Sequence, residues 1–166
     1  MAFPNFSMQR SLPNKIIPIL FLLVSFAGFA DATFLTVEHY RGVIPPCSVL
    51  HGCEKVTTSA FSTIAGVPIS LPGVLYYLTL FITALIFLDT GRARILRYGA
   101  FLSFAGFGVS MILVFIQLVI LQAICLYCMF SALTSTILFI LGLLFLKSSA
   151  HIDKNIGANS DILLDE

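Results

Sequence analysis

Four apolar runs leave this chain few ways to fold. They fall at about 16–36, 70–88, 95–116 and 125–146. Each is close to the roughly 20 residues that an α-helix needs to cross a hydrocarbon layer about 30 Å thick. A backbone in lipid must satisfy its own hydrogen bonds, so runs of this length and composition become helices. The sequence therefore reads as an all-α integral membrane protein, a four-transmembrane-helix bundle with a cysteine-bearing extracytoplasmic loop at 38–69 and a short lid helix. Residues 1–15 precede the 16–146 membrane domain, and 147–166 form a polar tail with no folding signal of its own. Of 166 residues, 58% are hydrophobic and 10% charged, which leaves little room for a separate soluble domain.

The first run has two readings. Arg10 and Lys15 followed by an apolar stretch and then Gly28-Phe29-Ala30 or Ala30-Asp31-Ala32 also fit a cleavable signal peptide. Apolar character resumes after Asp31 with Ala32, Thr33, Phe34, Leu35 and Val37, so a retained helix is expected. Asp31 then falls near the outer interface, where its carboxylate reaches water. A buried proton-relay position is the alternative.

Charge sets the orientation. Arg10, Lys15, Arg92, Arg94, Arg97, Lys147 and Lys154 fall on one side of the four runs, and Arg41 and Lys55 on the other. By the positive-inside rule both termini are cytoplasmic and the 38–69 loop faces outward. Nine basic residues against eight acidic ones, with no basic block, exclude a nucleic-acid surface.

The chemistry lies in four cysteines that fall as two pairs, Cys47 with Cys53 and Cys125 with Cys128. Cys125-Leu126-Tyr127-Cys128 stands at the outer end of the last run, where two thiols one helical turn apart share a face and the free amides of a helix N-terminus favour a thiolate. A disulfide across one turn closes almost no loop and stabilises little, which argues against an inert staple. Pro45-Pro46 forbids a helix just before Cys47, and Gly52 gives the short loop to Cys53 its freedom. The loop pair suits an incoming protein dithiol, and the helix pair suits a lipid-soluble electron carrier. Residues 54–64 permit a short helix lying on the membrane surface as a lid, ended by Gly66-Val67-Pro68. His39 and His51 near Cys47 and Cys53 raise a zinc alternative, but Cys-x5-Cys is an unusual zinc spacing and no metal is expected. Gly99, Ser103, Gly106, Gly108 and Ser110 in the third run predict close helix approach and a central place in the bundle.

The sequence resembles the bacterial and plant-type homologues of vitamin K epoxide reductase. The resemblance spans about 16–146 and rests on Cys47-x5-Cys53, Ser59-Ala60-Phe61, Gly66-Val67-Pro68, Pro72-Gly73 and Cys125-x2-Cys128. It implies a bundle around a quinone, ubiquinone or menaquinone, capped by the loop helix. It also implies that Cys47 exchanges with a partner protein, that Cys53 shuttles to Cys125, and that Cys128 meets the quinone with Ser59 and Phe61 nearby. A bacterial cytoplasmic membrane and a thioredoxin-like (DsbA-like) partner follow from the same resemblance. Many bacterial members carry a fused thioredoxin-like domain, whereas only 147–166 follow the last run here, so the partner is expected in trans. The DsbB-type oxidases place the Cys-x2-Cys pair in the first outer loop, the reverse of this order. The expected function is a quinone-dependent thiol oxidoreductase that supports disulfide formation. The alternatives are a non-catalytic membrane scaffold, a metal-binding protein, and a true quinone or epoxide reductase of the same family.

Overall fold

The computed structural model describes residues 16–44, 53–59, 61–64 and 66–162, with the side chains of 64 and 149–162 left aside. Cys47, Pro45, Pro46, His51 and Gly52 lie outside the described residues. In chain order the elements are α1 (Ile16–Arg41), α2 (Cys53–Thr57), β1 (Thr63–Ile64), β2 (Val67–Pro68), α3 (Ser70–Thr90), α4 (Ala93–Phe115) and α5 (Leu126–Ile162). Among the described residues four segments are long and apolar enough to cross a membrane: Ile16–Arg41, Ser70–Thr90, Ala93–Leu121 and Leu126–Ser148. They match the four expected runs.

The helices form a ring. α1 packs on α3 and α5, and α4 packs on the same two, so α1 and α4 stand diagonally opposite. The small residues of α4 therefore do not make it central. Gly99 and Ser103 are buried on the side facing its neighbours, while Gly108 faces open space. Away from the cysteines the ring is filled by Phe21, Leu80, Phe87, Leu96, Leu138 and Phe145. Gly91 closes α3 in the left-handed region at φ 65°, and its N–H donates to Phe87 O at 2.8 Å, so the turn into α4 is tight. Hydroxyls within the spans satisfy themselves on their own helices, as Thr33 does on Phe29 O at 2.7 Å and Thr136 on Ala132 O at 2.8 Å.

Three segments differ from expectation. The lid helix is shorter than 54–64: the Ser59 hydroxyl donates to Val56 O at 2.8 Å and ends α2, and an antiparallel β1–β2 hairpin follows, with Gly66 at φ 81° in its turn. A π-helical turn, Ile116–Leu121, carries α4 past the expected end of the third run at 116. Finally, α5 runs to Ile162, past the expected end of the fourth span at 146, because no proline interrupts it.

Candidate redox site at the cysteine end of the bundle

The chain reverses between α4 and α5 around one side chain. Gln122 adopts φ 48° and turns the backbone in the left-handed region. The carbonyl oxygen of Gln117 accepts the N–H of Gln122 and, at 3.1 Å, that of Ala123. Its carboxamide Oε1 accepts the N–H of Cys125 at 3.1 Å. Gln117 is 3% exposed, so a polar side chain within an apolar run is spent on placing a cysteine. The signal for it in the sequence is a lone Gln at the end of a membrane run.

Cys125 occupies the N-cap of α5. Its carbonyl accepts the Met129 N–H at 3.0 Å, the first bond of the helix, and its sulfur faces the open amides of the first turn. The Cys128 thiol donates to Cys125 Sγ, and with the N–H groups of Cys128 and Tyr127 it lowers the Cys125 thiol from 9.0 to about 6 against the opposing effect of burial. The N-terminus of the helix thus favours a thiolate at the first cysteine of the motif. Cys128, one turn deeper, is half-buried beneath it, and both thiols are free.

The lid brings in a third cysteine. Cys53 is disulfide-bonded and 1% exposed. It shares one buried cluster with Val56 and Cys125, the latter fully enclosed, and Leu121, Ala123, Tyr127 and Cys128 pack around it. Cys47 lies outside the described residues, as does His51 of the zinc alternative. Among the described residues no three His, Cys, Asp or Glu side chains converge as a metal site. Ser59 uses its hydroxyl to terminate α2, and Phe61 on the lid is 44% exposed.

Below the cysteines the ring is polar. The Tyr77 hydroxyl donates to Ser131 O at 2.8 Å and shares a hydrogen bond with Thr134 Oγ1 at 2.9 Å. Tyr76 turns the other way, against Gly106 of α4. Ser135 lies beside its hydroxyl but bonds Ser110 at 2.8 Å. Two side-chain atoms among the described residues are buried without a hydrogen-bond partner, Tyr76 Oη and Asp31 Oδ2. Asp31 is half-buried, with its Oδ2 enclosed. It sits on α1 one turn from Gly28, against which the Tyr77 ring packs, and one turn from Phe34, whose ring lies 5.3 Å from that of Tyr127. Asp31 and Tyr76 thus each keep an enclosed polar atom without a partner among the described residues.

A family model described as the Vitamin K epoxide reductase family matches residues 19–143, a stretch that contains all four cysteines. Comparison with individual curated proteins returns no match. Since the matched stretch covers most of the chain and the structure supplies the membrane bundle, the chain belongs to the vitamin K epoxide reductase family, a family of integral membrane oxidoreductases that work between thiol–disulfide pairs and quinones.

Proposed function

We propose that this protein oxidises a thioredoxin-like, DsbA-like partner and passes the electrons through its two cysteine pairs to a quinone, so that a disulfide forms in the partner. The observation that carries this reading is the packing of disulfide-bonded Cys53 against free Cys125 in one buried cluster. Two redox pairs in contact are a relay, because thiol–disulfide exchange needs only that one sulfur reach the next.

In this mechanism the partner's thiolate attacks Cys47 and releases Cys53. Cys53 attacks Cys125 Sγ of the inner disulfide, and Cys128 leaves as the thiolate. The partner's second thiol frees Cys47, which attacks Cys53 and expels Cys125. The low proton affinity of Cys125 makes it a good leaving group in that step. The products are a closed outer pair and a reduced inner pair, the state in which Cys53 is bonded and Cys125 and Cys128 are free.

A quinone fits the residues below. Its carbonyl oxygens are acceptors, and the unpaired Tyr76 hydroxyl is a donor waiting for one. When bound, the quinone, ubiquinone or menaquinone, supplies a sink for two electrons and two protons. In this reading Cys128 meets the quinone from the first turn of α5, with Ser59, which fixes the end of the lid helix, and Phe61, exposed on the lid, nearby. The cysteine end faces the periplasm or exterior of a bacterial cytoplasmic membrane. Arg92, Arg94 and Arg97 at the opposite end support that orientation, with both termini on the cytoplasmic side.

The test is quinone reduction by the purified protein in detergent with a dithiol donor. Wild type should turn over and Cys128→Ala should not. Equal rates in both, or none in wild type while the four thiols stay unchanged, would return the protein to a scaffold.

A further inference from the structure

We propose that Asp31 takes the proton that leaves the Cys128 thiol when the inner disulfide closes and relays it toward the reduced quinone. The assignment rests on the quinone-reducing reading above and adds to it a residue outside the cysteine motifs.

Three observations place the carboxyl. Along α1, Gly28, Asp31 and Phe34 follow one another at a spacing of three and so share a face. Gly28 meets Tyr77 of α3, and Phe34 meets Tyr127 between the two inner cysteines. Asp31 stands between these contacts, close enough for its charge to act on Cys125, Cys128 and Tyr77. Its Oδ2 is buried, yet no hydrogen bond explains it. A structural acid in lipid would be paired, since an unpaired polar atom there costs several kcal/mol. Tyr77, the obvious partner, spends its hydroxyl on Ser131 and Thr134.

Cys125 Sγ and Cys128 Sγ join, the S–H bond of Cys128 breaks, and two electrons pass to the quinone. The Cys128 proton moves to the Asp31 carboxylate and from there to a quinone oxygen. The second proton comes from water at the cysteine end. Cys125 contributes none, because it enters as the thiolate. The titratable groups facing Asp31 are Tyr77 from α3 and Cys125 and Cys128 from the start of α5, with Tyr127 against Phe34 one turn further along α1. Glu38 and His39 lie about two turns further along α1, and α4 does not pack on this helix.

Two measurements test it. Steady-state quinone reduction by Asp31→Asn should lose roughly a hundredfold in kcat, the size of one acid–base group. The KM for quinone should stay within about twofold, and Asp31→Glu should recover much of the rate. If the amide variant fails to fold, Asp31→Ser should show the same loss. Wild-type kcat in either neutral variant overturns the proposal. The second readout needs no turnover: the infrared difference spectrum between oxidised and reduced inner pair should carry a carboxyl C=O band that Asp31→Asn lacks and Asp31→Glu shifts. A spectrum without that band overturns the proposal as well. If wild type reduces no quinone while the band responds, the quinone reading fails and the proton coupling of Asp31 to Cys128 stands.

Discussion

Gln117 holds Cys125 by a single hydrogen bond, from the Cys125 N–H to its Oε1 at 3.1 Å. Gln117→Leu keeps the volume and removes the acceptor, leaving a buried amide unpaired at a cost of about 1–3 kcal/mol. Thermal unfolding in detergent should show that loss. Thiol exchange between the two cysteine pairs should slow at least tenfold, since a small displacement of an attacking or leaving sulfur is expensive. Gln117→Glu, which retains an acceptor, should lose less.

The Cys125 thiol, lowered to about 6, sets a pH profile. In the reduced protein, the ultraviolet absorbance of the Cys125 thiolate should rise between about pH 5 and 7 and then level off, where an ordinary thiol would still be gaining near pH 9. Because the folded value lies below the unfolded one, the same group stabilises the fold fully above pH 9. That contribution fades as pH falls and is gone below about 6. Cys128→Ala removes the first of the hydrogen bonds responsible, so the Cys125 midpoint should move upward in that variant. Ultraviolet titration of the thiolate measures both midpoints.

Order of transfer is read by trapping. With Cys53→Ala, the partner's attack on Cys47 has no internal thiol to resolve it. A mixed disulfide between Cys47 and the partner should accumulate on non-reducing gels. With Cys47→Ala it should not. Adducts on Cys53 instead would reverse the assigned roles.

Gly28 is a packing constraint on the proton-handling face. A methyl group there would occupy the place of the Tyr77 ring, and that ring is pinned through its hydroxyl to α5. Gly28→Ala should destabilise the bundle by roughly 1–3 kcal/mol. A smaller residue at the partner position, in the double variant with Tyr77→Leu, should recover part of it. A double-mutant cycle on unfolding free energies gives the coupling.

The spans and the Cys-x2-Cys motif were legible because both follow from local rules: run length in lipid and residue spacing on a helix. The end of the lid helix was not, because it turns on which acceptor the Ser59 hydroxyl chooses, and Val56 O is offered only once the chain has bent. Nor was the unpaired Oδ2 of Asp31, because whether a partner reaches it depends on neighbouring helices that the run itself does not reveal. The role of Gln117 was hidden for a related reason: a π-helical turn shifts which residues face inward, and hydrophobic periodicity carries no trace of it. The sequence also favoured a central α4, since small residues signal close contact without saying with how many neighbours.

The unpaired carboxyl on α1 also bears on how the protein is made. During synthesis the first helix reaches the translocon alone, before α3 and α5 exist to enclose Asp31. An acid at mid-helix opposes insertion by about 2.5–3.5 kcal/mol on translocon scales, and each Leu, Ile, Phe or Val returns only a few tenths. The apolar stretch from Ile16 to Phe29 is thus what commits the nascent chain to the bilayer. Substitutions that thin it should appear as biogenesis defects in cells, even where the assembled bundle would tolerate them.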